Sequence, residues 1–226
     1  MNARRLGFQI ERSEIYGPGI RSVYWVQGCT LACKGCWNTQ FWPSKGGDLI
    51  DVGRLLSELS RRQDIEGITL LGGEPLQQAP EVEQLITGCK ELGLTVFLYT
   101  GYEMHELDPT MKRCVDLADI VVMGRFVQAL RNTNLRWRGS ENQTLLVRNS
   151  KYKFMKFDDQ NEVEIHLDTS GGLSVVGYGS SQLLEIVGLN QHDGTEEENH
   201  RGPTEKDGSK PLTSGSNNFT PCQRST

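Results

Sequence analysis

Three cysteines stand within eight residues, in the stretch Cys29-Thr-Leu-Ala-Cys33-Lys-Gly-Cys36. Thiolates this close together bind metal, and the question is which one. A structural zinc site takes four ligands, usually as two short pairs, and no second CxxC or HxxxH follows to complete it. The other cysteines, Cys89, Cys114 and Cys222, are scattered, and His105, His166, His192 and His200 form no paired metal spacing. An iron–sulfur cube normally takes four thiolates. Held by three it keeps one iron open, and an open coordination position is where chemistry happens. The spacing therefore favours a cluster over zinc. A non-catalytic zinc- or cluster-binding module is the alternative from another functional class. Two further loops carry suitable groups. Gly72-Gly73-Glu74-Pro75 combines two glycines, which let backbone come close to a neighbour, with a carboxylate. Thr100-Gly101-Tyr102 offers a hydroxyl, or is a simple turn.

These loops need a scaffold, and the pattern of the chain predicts one. Ile20–Val26 reads as a strand running into the cysteines. Asp51–Arg61 has helical apolar spacing with Asp51 as N-cap. Ile68–Leu71 is a short strand ending in the glycine pair. Pro80–Leu92 reads as a helix with Pro80 in its first turn and Gly93 as its stop. Thr95–Tyr99 is a strand, Pro109–Leu117 a helix and Ile120–Met123 a strand before Gly124. Strand, loop and helix in repetition predict an α/β fold of parallel strands with right-handed crossovers. Sites in such folds gather at the C-terminal strand ends, where every informative loop here falls. Glu162–Asp168 and Leu173–Tyr178 read as an antiparallel hairpin. Beyond Leu189 apolar residues nearly vanish, so residues 1–188 are expected to form the domain and 189–226 a disordered polar tail.

The motifs resemble a known superfamily. Cys29-x3-Cys33-x2-Cys36 is similar to the cluster signature of the radical S-adenosylmethionine enzymes, and Gly72-Gly73-Glu74-Pro75 to their GGEP motif. The resemblance implies a 4Fe-4S cluster on Cys29, Cys33 and Cys36, with S-adenosylmethionine chelating the open iron. It implies that Gly72, Gly73 and Glu74 meet the methionine amino group, and that the Thr100 hydroxyl reaches the nucleoside. It also implies an incomplete parallel β/α barrel, open on one side. Tyr16-Gly17-Pro18-Gly19-Ile20-Arg21, Cys36-Trp37-Asn38 and Trp137-Arg138-Gly139-Ser140-Glu141-Asn142-Gln143 narrow the likeness to the activating branch of glycyl-radical enzymes, most closely the activators of anaerobic ribonucleotide reductase. Gly35 fits that group, and Trp37 is expected to shield the cluster or pack near the adenine. The partner implied is a glycyl-radical enzyme, with a small flavodoxin or ferredoxin as electron donor. Tyr16 and Met123 replace aspartates usual in the branch, which leaves a peptide or small-metabolite substrate as the alternative. No side chain is singled out as a catalytic acid, base or nucleophile, because the cofactors carry the radical chemistry.

Composition agrees with a cytoplasmic enzyme. The 226 residues carry 24 Lys and Arg against 29 Asp and Glu, which argues against general nucleic-acid binding. No apolar run approaches a membrane span, and Met1–Glu14 lacks the apolar core of a secretory signal. The basic residues between Arg125 and Lys156 read first as a solvated face. Arg136 and Arg138, flanking Trp137, are candidates for binding carboxylates.

Overall fold

The computed structural model describes residues 3–157, 159, 162–167 and 173–177. Strand β1 (Ala3–Ser13) pairs antiparallel with β2 (Arg21–Val26), and β3 (Asp48–Asp51) pairs antiparallel with the start of β1. Helix α1 (Val52–Leu59), strand β4 (Gly67–Gly72), helix α2 (Ala79–Glu91), strand β5 (Thr95–Thr100), helix α3 (Pro109–Leu117) and strand β6 (Ile120–Met123) then alternate. Strand β7 (Thr144–Val147) returns antiparallel to β6. The sheet order is β3-β1-β2-β4-β5-β6-β7. The four middle strands, β2, β4, β5 and β6, are parallel, as the strand–helix alternation predicts.

The local signals form as read. Asp51 caps α1, its carboxylate accepting from the Arg54 amide at 2.8 Å. Pro80 lies in the first turn of α2, and Gly93 follows that helix at φ +76, the left-handed stop that a Cβ disfavours. The sheet differs from expectation at both ends, where β1, β3 and β7 run antiparallel. Their short, half-exposed or charge-interrupted sequences carry little periodic signal of their own.

Both faces of the middle strands are buried, which is why they read as nearly continuous apolar runs. The helices cover one face: Val52, Leu55, Leu85, Ile86 and Val115 join Leu70, Leu98 and Val121 in one core. On the other face Val23, Trp25 and Leu71 pack with Tyr16 and Phe41, and Phe97 and Val122 pack with Trp137 and Tyr152. The predicted hairpin is present as β8 (Val163–Leu167) and β9 (Leu173–Gly177), a separate antiparallel sheet. Its Val176 is fully buried in the cluster with Trp25 and Leu71. The hairpin thus covers a face of the large sheet and pairs with neither of its edge strands. The expected polar tail, 189–226, lies outside the described residues. No helix among the described residues is long and apolar enough to cross a membrane.

Candidate functional site

The C-terminal ends of β2, β4, β5 and β6 open onto one pocket with an accessible volume of about 180 Å³. Its wall includes Cys29, Cys33 and Cys36 beside Gly72, Gly73, Glu74 and Thr100. Residues as distant in the chain as Cys29 and Thr100 meet here because parallel strands with crossovers bring each strand end to the same side. Trp37 also lines the pocket, tilted against Phe126 with ring centroids 4.7 Å apart and with the Arg131 guanidinium 5.2 Å above it. Gly35 does not line it. A Cβ there would meet the Gln128 side chain at 2.8 Å, so Gly35 lets the cysteine loop lie close to the segment after β6.

The cysteine loop is held mainly by its backbone. The Gly28 amide donates to the Phe41 carbonyl at 2.8 Å and the Cys29 amide to the Trp42 carbonyl at 3.0 Å. All three thiols are free and partly exposed. Burial pushes each thiol up from its ordinary pKa, and backbone N–H groups oppose it: Leu31 and Ala32 at Cys29, Phe126 at Cys33 and Asn38 at Cys36. The Asn38 amide lies 3.4 Å from the Cys36 sulfur. Thiols with donors aimed at sulfur suit an electron-rich iron–sulfur cluster, whose ligands are thiolates. Among the described residues, no three His, Cys, Asp or Glu side chains gather as they would around one metal ion.

The GGEP loop is the keel of the site. The Gly73 amide donates to the Val26 carbonyl and the Glu74 amide to the Gly28 carbonyl, both at 2.8 Å, joining β4 to the cysteine loop. A Cβ at Gly73 would stand 2.4 Å from the Gly28 oxygen, and Gly72 has φ +105, so this approach needs both glycines. The Glu74 carboxylate is 1 % exposed. It accepts from the Leu76 amide at 2.9 Å, the Thr100 hydroxyl at 2.9 Å and the Gly101 amide at 2.7 Å. Burial raises its pKa to about 7 despite those donors. Thr100 therefore spends its proton on Glu74 and ties β5 to β4.

Sequence reasoning missed a second ring of support. Gln77 exchanges hydrogen bonds with Thr30, accepting from its amide at 3.1 Å and donating to its hydroxyl at 2.6 Å, and it also donates to the Tyr102 hydroxyl at 3.1 Å. Arg125 lies over the Tyr102 ring and makes a two-pronged pair with Glu106 at 2.6 and 2.7 Å. That pair holds the Glu106 carboxyl down to about 2. Gln77 lies two residues after Pro75, and that proximity was its only available signal. Much of the basic stretch is occupied in pairs: Arg125 with Glu106, Arg136 with Glu162, Arg148 with Asp116 and Lys151 with Glu66. Tyr16 lines the pocket edge-on to Trp25, with ring centroids 5.1 Å apart, while Met123 is buried in the helix-side core. Where the branch usually places carboxylates, this chain has an aromatic wall and a core residue.

A family model described as a 4Fe-4S single cluster domain matches residues 15–146. That span runs from before β2 into β7 and contains all three cysteines, the GGEP loop and Thr100. Among curated proteins, the anaerobic ribonucleoside-triphosphate reductase-activating protein of Escherichia coli (strain K12) is 34% identical over 139 residues, covering 58% of this chain and 90% of the relative. The protein of that name from Haemophilus influenzae is 33% identical over 141 residues, with the same shares covered. The one from Enterobacteria phage T4 is 34% identical over 138 residues, covering 58% of this chain and 86% of its own. The chain belongs to this family of activating proteins. The matched segment supplies most of the pocket, and Glu162 and Gly177, beyond the matched residues, complete its wall from the hairpin.

Proposed function

We propose that this protein is a radical S-adenosylmethionine enzyme that activates an anaerobic ribonucleoside-triphosphate reductase by abstracting hydrogen from a glycine of that partner. The observation that carries this reading is the convergence of the three family cysteines, the GGEP loop and Thr100 on one pocket. In its finer form, the fold is an incomplete β/α barrel: four parallel strands carry the site, and antiparallel strands at either end leave the sheet unclosed. The catalytic unit is residues 1–188. A flavodoxin or ferredoxin is the electron donor.

Cys29, Cys33 and Cys36 would hold the cluster, and with S-adenosylmethionine bound beside it the pair would supply the carbon radical that abstracts hydrogen. The chain's own residues position these groups and keep water out. Gly72 and Gly73 bring backbone to the methionine end, and Glu74 fixes that loop while offering negative charge to the ammonium group. Thr100 acts through Glu74. Gly35 lets the cysteine loop close, and Trp37 with Phe126 screens the cluster side. Tyr16, Tyr99 and Trp137 form the wall toward the partner's backbone.

Anaerobic reconstitution with iron and sulfide, followed by reduction and addition of S-adenosylmethionine, is expected to yield 5′-deoxyadenosine with the wild type and none with Cys33→Ala. With the reductase added, a glycyl-radical signal should grow in the electron paramagnetic resonance spectrum. A reconstituted protein without a cluster spectrum would overturn the reading.

A further inference from the structure

The cysteine loop carries a strained residue. Ala32, between Cys29 and Cys33, has φ +46, in the left-handed region that a Cβ disfavours. A non-glycine residue stays there only where its surroundings hold it. Two neighbours do so on this side of the loop. Leu31 packs on the turn after β5, where a Cβ at Gly101 would stand 2.4 Å from its side chain. Thr30 meets Gln77, whose carboxamide uses both of its ends. Oε1 accepts from the Thr30 amide at 3.1 Å, while Nε2 donates to the Thr30 hydroxyl at 2.6 Å and to the Tyr102 hydroxyl at 3.1 Å. Gln77 lies in the 3-10 turn Pro75–Gln78, and its own amide donates to the Glu74 carbonyl at 3.1 Å. One side chain thus ties the loop after β2 to the loops after β4 and β5, and it does so from outside the pocket wall.

We propose that Gln77 is a positioning residue that holds Thr30 and, through it, the strained stretch from Cys29 to Cys33 in the conformation that presents both thiols to the cluster. The inference rests on the proposed cluster at Cys29, Cys33 and Cys36. Its physical basis is preorganisation. A loop that must be ordered as its ligands bind loses affinity to the entropy of ordering, and a loop ordered beforehand does not. Freed from Gln77, Ala32 relaxes to negative φ, and that rotation moves Cys33 relative to Cys29. The hydrogen-bonding pattern selects the side chain. A carboxamide gives the amide an acceptor and the two hydroxyls a donor, and a carboxylate serves as well because both hydroxyls turn to donate. An aliphatic side chain of the same size serves neither.

Gln77→Leu removes all three bonds, and Gln77→Glu keeps them. Amide hydrogen exchange in the full chain without iron gives the first readout. The Thr30 amide should exchange at least about tenfold faster in Gln77→Leu, the effect of losing one or two hydrogen bonds, and within about twofold of wild type in Gln77→Glu. Amides of β2 and β4 should keep their wild-type rates in both. After anaerobic reconstitution with iron and sulfide, Gln77→Leu should yield its iron to a chelator about fivefold faster or more, and Gln77→Glu at close to the wild-type rate. Equal Thr30 exchange, or equal iron release, in wild type and Gln77→Leu would overturn the proposal. So would acceleration in Gln77→Glu as large as in Gln77→Leu, or β2 and β4 amides that quicken as much as Thr30. If Gln77→Leu does not fold, Thr30→Val combined with Tyr102→Phe strips Gln77 of both hydroxyl partners. Faster exchange at residue 30 and faster iron release in that double variant support the assignment, and wild-type rates reject it. A wild type that forms no four-iron cluster fails the proposed function itself, and the inference falls with it.

Discussion

Glu74 shows how one side chain can serve both the scaffold and the site. Its two oxygens take three donors from two loops, so the carboxylate is a joint between β4 and β5 before it meets any ligand. Glu74→Gln turns one of those acceptor atoms into a donor facing another N–H or O–H. It should destabilise the protein by about 1–3 kcal/mol in urea unfolding and weaken S-adenosylmethionine binding as well. The carboxylate also imposes a pH dependence. Its pKa is about 7 in the folded protein and 4.5 in the ordinary state, so the folded chain holds its proton through an interval where the unfolded chain has lost it. By linkage, its contribution to stability is full below about 4.5 and declines as pH rises toward 7. The difference between the urea midpoints of wild type and Glu74→Gln should therefore change steadily between pH 5 and 7 and level off above. A difference independent of pH would show that Glu74 is ionised throughout.

Among the elements, the ends of the parallel strands opposite the site depend on Arg21. Its guanidinium is 1 % exposed and donates to the Thr69 hydroxyl, the carbonyls of Pro18 and Ile68, and both the hydroxyl and the carbonyl of Thr95. These bonds fasten β2 to β4 and β5 at the end away from the cysteines. The family's arginine in this segment is thus a strap between strands, remote from the pocket. Arg21→Met leaves buried carbonyls short of donors and should cost about 3 kcal/mol in urea unfolding. Cluster formation in the surviving folded protein should be unaffected. Helix α1 offers a smaller test. Asp51→Ala removes its N-cap bond and should cost about 1 kcal/mol, read as a lowered urea midpoint with unchanged slope.

The whole molecule adds the hairpin to the family's domain. Val175 and Val176 are both buried, and the Arg136–Glu162 pair, with bonds of 3.0 and 3.2 Å, ties the start of the hairpin to the segment carrying Trp137. A chain ending at Phe157 should lose about 3 kcal/mol from the two valines alone and bind a hydrophobic dye through the uncovered Trp25 face. A chain ending at residue 188 should keep the wild-type urea midpoint and iron content. Together the two truncations test whether 1–188 is the working unit.

The cysteine spacing, the GGEP loop and the strand–helix alternation were all legible along the chain. They depend on short-range geometry: ligand spacing, caps such as Asp51, and the helix stop at Gly93. Because parallel strands with crossovers place their C-terminal ends together, that local pattern also implied a shared pocket. Three features required the tertiary structure. The antiparallel strands β1, β3 and β7 form through pairing with neighbours, and such pairing leaves no clear period in the sequence. Gly35 proved to be a packing contact with Gln128, which only the approach of a distant loop reveals. The Asn38 amide at the Cys36 sulfur, and the three bonds that hold Glu74, come from groups whose directions are set by packing. Sequence spacing can say which residues are candidates for a site, but only the folded backbone determines where an N–H points.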